Sequence, residues 1–145
     1  MKVCCDSNVL IAAFLRPHDF HERARRVLER VRSSADHGII SAHSIAEIYA
    51  VLTRLPGADR VPALAVQQLL ETNVGTVFET VALTAREYHS LVKRLAAAGV
   101  VGGVIYDAIV LTAAHKAGAE RLYTFNTRHF AVLKSPELTL MSEEP

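Results

Sequence analysis

The chain has 145 residues, a length near which single domains cluster (~100–150 residues) and sufficient for a core that needs neither metal nor disulfide to hold it. Lys and Arg number 16 against 15 Asp and Glu, a formal charge of +1 with the His neutral. This balance excludes a polybasic nucleic-acid tail and an acidic solvating tail, but not a local basic patch. Apolar residues make up 50% and charged residues 21%, against ~25% charged in an average domain, a composition that leans toward a permanent partner.

In chain order, the first expected element is a strand over Lys2–Cys5, followed by a helix over Val9–Leu15 that Pro17 ends. Cys4 and Cys5 are the only cysteines. Neighbours cannot easily meet disulfide geometry, and they form neither a C-x-x-C pair nor a zinc set, so buried thiols in a reducing compartment are expected. The N-terminal region has no secretory pattern and no run approaches the ~20 apolar residues of a membrane span. The expected location is the cytoplasm.

Asp19, with Glu22 three residues on, marks the N-cap of a charged helix running to Arg32. Ile39–Ile40 reads as a short buried strand and Ser44–Leu55 as a helix stopped by Pro56-Gly57. Pro62 starts another helix, to about Glu71. The β-branched stretch Thr76–Leu83 predicts a strand. Thr84 and Glu87 form a capping box for a helix to Ala98, and Gly118 follows a helix over Tyr106–Ala117 as its C′ residue. Strands over Arg121–Phe125 and Leu138–Met141 flank a helical turn at Thr127–Val132. Short apolar strands alternating with helices predict a parallel sheet covered on both faces, with ligands bound beyond the carboxyl ends of its strands.

Most acids lie among polar neighbours, but three do not. Asp6 sits between Val3-Cys4-Cys5 and Val9-Leu10-Ile11, Glu47 in Ile45-Ala46-Glu47-Ile48-Tyr49, and Asp107 between Val104-Ile105-Tyr106 and Ala108-Ile109-Val110. A charge in apolar surroundings is costly unless paired, hydrogen-bonded or bound to metal. Each also has a purely structural reading. Asp6 or Asn8 serves as an N-cap, Asp107 favours its helix dipole, and Glu47 lies opposite the stripe Ile45, Ile48, Tyr49 and Leu52, where water reaches it. The topology nevertheless brings Asp6, Asp107 and Asn126 toward one sheet edge. Converging carboxylates repel unless a cation lies between them, and hard oxygen donors favour Mg²⁺ or Mn²⁺ over zinc.

Four segments then carry a resemblance. Asp6-Ser7-Asn8-Val9-Leu10-Ile11, Ser41-Ala42-His43-Ser44-Ile45-Ala46-Glu47, Gly102-Gly103-Val104-Ile105-Tyr106-Asp107-Ala108 and Thr124-Phe125-Asn126-Thr127-Arg128-His129-Phe130 resemble, in order, the motifs of the PIN-domain family of metal-dependent nucleases. The size and the Gly-Gly-x-x-Tyr-Asp-Ala form are most similar to its VapC-type members, toxins of toxin–antitoxin pairs. The resemblance implies a single domain over 1–145 with a three-layer α/β/α sandwich and a short, mainly parallel central sheet. It implies a Mg²⁺- or Mn²⁺-dependent endoribonuclease, a homodimer, and inhibition by a cognate antitoxin protein. Asp6, Glu47 and Asp107 match the acidic metal positions, and Asn126 stands at a fourth catalytic position where the family often has Asp. Asn keeps an amide oxygen but removes one negative charge, leaving a set suited to one divalent ion. Arg128, beside Asn126, is the candidate for contact with a substrate phosphate.

Other features carry less. Arg23, Arg25, Arg26, Arg30 and Arg32 crowd one helix, but the spacing of Glu22, Arg26, Arg25 and Glu29 describes a solvated, ion-paired face. Gly99, Gly102 and Gly103 lack the G-K-[ST] of a phosphate loop and read as a turn into the Asp107 helix. His43 and His115 read as surface or packed residues, and His129 carries no assigned role. A phosphotransferase of the haloacid-dehalogenase type needs an acid where Asn8 stands. The alternative function is a catalytically degenerate PIN fold that binds RNA or protein without cleaving.

Overall fold

The computed structural model describes residues 1–133 and 141–145. Five strands, all paired in parallel, form one sheet: β1 (Lys2–Cys5), β2 (His37–Ser41), β3 (Glu79–Val81), β4 (Arg121–Tyr123) and β5 (Met141–Glu143), in the order β3-β2-β1-β4-β5. The helices are α1 (Ser7–Phe14), α2 (His21–Arg32), α3 (Ala42–Thr53), α4 (Ala63–Leu70), α5 (Ala85–Ala97), α6 (Val104–Lys116) and α7 (Thr127–Val132).

Side chains alternate across a strand, and the core divides accordingly. Val3, Cys5 and Ile40 join α1, α2, α3 and α4 residues such as Leu10, Leu28, Ile48 and Val66 in one layer. Cys4 and Ile39 pack with Val110, Leu111, Leu122 and Phe130 from the other side. The three-layer α/β/α fold follows. Adjacent in sequence, Cys4 and Cys5 therefore face opposite layers; both are free and buried, and burial pushes the Cys5 thiol up to about 12. Such thiols are poor nucleophiles at neutral pH. No helix of the described residues is long and apolar enough to cross a membrane.

Where the structure departs from the sequence expectations, tertiary contacts decide. Phe20, not Asp19, occupies the N-cap of α2 and makes no side-chain capping bond; its ring stacks on Phe125 with centroids 4.5 Å apart. The strand expected over Thr76–Leu83 shrinks to Glu79–Val81, because a π-helical turn over Glu71–Gly75 extends α4 and turns Val74 and Phe78 into the core. Helix α3 starts earlier than Ser44, at Ala42, with Ser41 accepting from His43 N at 3.3 Å. The capping box of α5 forms as expected: Thr84 Oγ accepts from Glu87 N at 3.2 Å and Glu87 Oε2 from Thr84 N at 2.7 Å. Gly118 takes φ +71° after α6, the left-handed C′ geometry that glycine adopts without strain. Of the strand expected over Leu138–Met141, only Met141 lies within the described residues, where β5 begins.

From β1 the sheet grows outward through β2 to β3, and then resumes on the other side with β4 and β5. The order therefore reverses between β1 and β4. In open parallel sheets a crevice opens at that point, beyond the carboxyl ends of the strands. Asp6 follows β1 directly, and Thr124 follows β4.

Candidate active site

Asp6 extends the β1–β4 ladder by one bond, its N–H donating to Tyr123 O at 3.0 Å, and then starts α1 as its N-cap. Its carboxylate is almost fully buried (4% exposed). Oδ1 accepts from Ser7 N at 2.8 Å, and Oδ2 accepts from Thr124 Oγ at 2.8 Å and Asn8 Nδ2 at 3.1 Å. The capping reading of Asp6 is thus correct but incomplete, because one oxygen faces across to β4. Burial dominates its ionisation: despite the Thr124 and Ser7 donors, desolvation and the nearby Asp107 and Glu47 charges push the carboxyl up to about 6.

The motif residues around Asp6 are held by one another. Asn8 Oδ1 accepts from Phe125 N at 3.1 Å, and Thr124 Oγ accepts from Asn126 N at 3.0 Å while donating to Asp6. Thr124 is completely buried, so its hydroxyl is fully committed to tying the two strand ends together. Asn126 enters this network through its backbone. It is exposed at the N-cap of α7, and its side chain makes no capping bond, contrary to the capping role its position suggests.

Glu47 is not on a free solvated face. Ser44, Ile48 and Leu52 are the buried residues of α3, and Tyr49 is exposed. This turns the half-buried Glu47 toward α1, where Ser7 Oγ donates to Oε2 at 2.7 Å. Its other oxygen lies 2.6 Å from His43 Nε2. Asp107, in the first turn of α6, is half-buried and 3.2 Å from His129 Nδ1. Burial raises its carboxyl, His129 opposes that, and Glu47 adds to it. Each of Glu47 and Asp107 therefore carries an imidazole, and the rings of His43 and Tyr106 stack with centroids 5.0 Å apart, 2° from parallel. His43 thus belongs to the site rather than to a remote surface, and His129 has a partner that sequence reasoning did not assign.

Asp6 is within electrostatic reach of both other acids, and all three offer hard oxygen donors of the kind Mg²⁺ and Mn²⁺ prefer. Among the described residues, no three His, Cys, Asp or Glu side chains form a closed cation cage; Glu47 and Asp107 rest instead on their histidines. Sequence reasoning also missed Ser7 and Thr124 as the hydroxyls that lock the acids in place. The available signal was their position inside the quoted motifs, Ser7 opening α1 just beyond β1 and Thr124 directly after β4.

A PIN domain family model matches residues 3–134. Ribonuclease VapC40 of Mycobacterium tuberculosis is 39% identical over 118 residues, covering 81% of this chain and 81% of that protein. The chain belongs to the PIN-domain family, in its VapC-type branch. Ribonuclease VapC27 of the same organism is 32% identical over 115 residues, 79% of this chain and 78% of that protein. The fold is shared more widely. The crystal structure of M. tuberculosis VapC20, a sarcin-ricin loop cleaving toxin, aligns with TM-score 0.70 at 18% identity over 94% of this chain and 98% of that one. VapBC2 from Rickettsia felis, bound to a DNA fragment from its promoter, aligns with TM-score 0.65 at 18% identity over 99% and 100%. In this PIN domain the four motifs meet at the switch point between β1 and β4 and on the facing helices α3 and α6.

Proposed function

We propose that this PIN domain is a Mg²⁺- or Mn²⁺-dependent endoribonuclease, the toxin of a toxin–antitoxin pair, acting in the cytoplasm as a homodimer of single-domain chains. The observation that carries the reading is the buried Asp6 carboxylate at the switch point, bonded to both strand ends and electrostatically coupled to Glu47 and Asp107. A phosphodiester is anionic, and a pocket of carboxylates repels it unless a cation intervenes. Asp6, Glu47 and Asp107 would hold that cation, with Asn126 beside them contributing no charge. A divalent ion bound there supplies Lewis acidity to the phosphate and lowers the pKa of water.

The chain's own residues set the geometry. Asp6 is fixed by Thr124, Ser7 and Asn8, and Glu47 is fixed by Ser7 and His43, so these two acids are held in place before a substrate arrives. Glu47 orients the attacking water, and Arg128, exposed on α7 two residues after Asn126, receives a flanking phosphate. In-line attack on phosphorus breaks the bond to the 3′ oxygen, leaving a 3′-hydroxyl and a 5′-phosphate. The cognate antitoxin docks as a helix in a groove, a mode suited to a surface that leaves Tyr49 44% and Leu64 68% exposed.

Incubating the purified chain with total cellular RNA in Mg²⁺, Mn²⁺ or EDTA, beside Asp6→Asn and Asp107→Asn, tests this directly. Discrete fragments with 5′-phosphate ends are expected, dependent on metal and abolished by either substitution. Cleavage that persists in EDTA or in both variants overturns the reading. RNA binding without cleavage by the folded, metal-loaded chain replaces it with a degenerate binding module.

A further inference from the structure

Helix α5 gathers positive charge that the fold does not use. Arg86, Lys93 and Arg94 are all exposed, and among the described residues none of them is paired with an acid. The arginine-rich helix α2 is the contrast: Arg23 is held by Glu144, Arg25 by Glu22 and Glu29, and Arg30 by Asp36. On α5 an acid three residues after Arg86 and four before Lys93 would pair with both, but that position is His89. The one acid of the helix, Glu87, is already engaged by the Thr84 cap and by Lys116. At about 100° per residue, Arg86, His89 and Lys93 lie within about 60° of one another, opposite the buried Leu91. Arg94 suits the dipole of the last turn, but Arg86 stands in the first turn, where the dipole disfavours a cation. The whole chain carries only +1, so the ridge is a local concentration and not a sample of a basic surface.

The ridge also has a direction. Leu95, late in α5, and Ile105, early in α6, pack on one cluster, while Glu87 at the start of α5 meets Lys116 at the end of α6 at 3.0 Å. The two helices are therefore antiparallel, and the Lys93–Arg94 end of α5 lies toward the first turn of α6, which carries Asp107. From Arg94 back to Arg86 the ridge extends about 12 Å, at ~1.5 Å per residue.

We propose that Arg86, Lys93 and Arg94 form a phosphate-binding ridge, separate from the acidic pocket, that holds the backbone of an RNA whose chain passes through that pocket. The inference rests on the nuclease reading above and adds a second set of contacts to it. A pocket of carboxylates repels the polyanion it acts on, and unpaired cations beyond the pocket supply the attraction that it lacks. Contacts of this kind position a strand and carry no sequence information. A second copy of the chain is a poor occupant, because a two-fold contact centred on the ridge sets like charges against each other.

The test reads binding alone. The full chain in EDTA is titrated, across a range of salt concentrations, with a fluorescent oligouridylate and with an oligoadenylate of the same length. Neutralising the ridge by Arg86→Gln, Lys93→Gln and Arg94→Gln together should lower the slope of log Kd against log salt by about 2, at ~0.7 per phosphate contact on a single strand. Both oligomers should weaken alike, by about 100-fold at about 0.1 M salt, the loss that such a slope accumulates over one decade. Gln keeps the helix propensity, and unchanged thermal unfolding confirms that the variant folds. Arg25→Gln, Arg26→Gln and Arg32→Gln together remove the same charge from α2 and should leave the slope within about 0.5 of the wild type. Equal effects of the two triple variants, an unchanged slope in the α5 variant, or no binding by the wild type overturns the ridge. Displacement of the RNA by polyglutamate at equal charge concentration overturns it in favour of an acidic protein segment. No metal is present and no cleavage is read, so an inactive nuclease leaves this test intact. A chain that cleaves RNA with the same KM after the α5 substitutions overturns the ridge alone.

Discussion

Ser7 Oγ donates to Glu47 Oε2 at 2.7 Å, joining the turn after β1 to the side of α3. The same residue's N–H donates to Asp6 Oδ1, so one serine sets the relative position of two acids that repel each other. Ser7→Ala keeps the backbone bond and leaves Glu47 held by His43 alone. Because Glu47 is only half-buried, water replaces the lost donor, and stability should change by less than about 1 kcal/mol. The single-turnover cleavage rate should fall about tenfold, about 1.4 kcal/mol of barrier, as Glu47 loses one of the two contacts that orient it.

Thr124 has a heavier structural role. Its buried hydroxyl donates to Asp6 and accepts from Asn126 N and Asn8. Thr124→Val preserves the shape but removes one donor from the buried Asp6 carboxylate and the acceptor of Asn126 N, at a cost of about 1–3 kcal/mol, measurable by urea denaturation. Thr124→Ser, which restores the oxygen, should recover most of it.

Asp6 makes the metal-free protein sensitive to pH. Its carboxyl is pushed up to about 6 in the fold, against ~3.9 in an unfolded chain. Between those values the native state binds the extra proton, so its stability falls as pH rises from ~4 through ~6. The contribution is about 3 kcal/mol, full below that window and gone above it. Thermal unfolding in EDTA should show this slope in the wild type and a flatter profile in Asp6→Asn; identical profiles would remove the desolvation argument.

Gly38 in β2 lies under α2 and the β3 approach, where an added Cβ would collide with Val31 Cγ1 and the Phe78 ring. Gly38→Ala should destabilise by about 1–3 kcal/mol through overpacking. Metal-dependent cleavage, measured below the lowered melting temperature, should be retained, since the site lies at the far ends of β1 and β4.

Much of this was legible from residues alone. The apolar flanks of Asp6, Glu47 and Asp107 marked them as unusual, and the strand–helix alternation placed them at carboxyl ends. Local signals with a local cause, such as the Thr84–Glu87 capping box and Gly118, appear where the chain suggested. What was not legible depends on contacts between distant segments. Thr76–Leu83 has the β-branched content of a strand, yet Val74 and Phe78 turn into the core, Phe78 against Gly38. Asp19 has the chemistry of a cap, but Phe20 is fixed by stacking on Phe125. Asp36 is a further buried acid hidden among polar neighbours. It accepts from Arg30 Nε at 2.6 Å and lies 3.5 Å from the N-terminal amine, an ion pair that anchors the start of the sheet. The helical wheel of α3 set Glu47 opposite a stripe that included Tyr49, but Tyr49 is exposed and Ser44 is buried, so Glu47 turns toward α1, where Ser7 meets it.

The central claim is that Asp6, Glu47 and Asp107 act together on one divalent cation. Mn²⁺ titration followed by electron paramagnetic resonance reads this without RNA, comparing the full chain with Asp6→Asn, Glu47→Gln and Asp107→Asn. The account predicts about one bound Mn²⁺ per chain, displaced by Mg²⁺ and weakened at least about tenfold by each substitution. A wild-type chain that binds no Mn²⁺, or one whose binding survives all three substitutions, would contradict it.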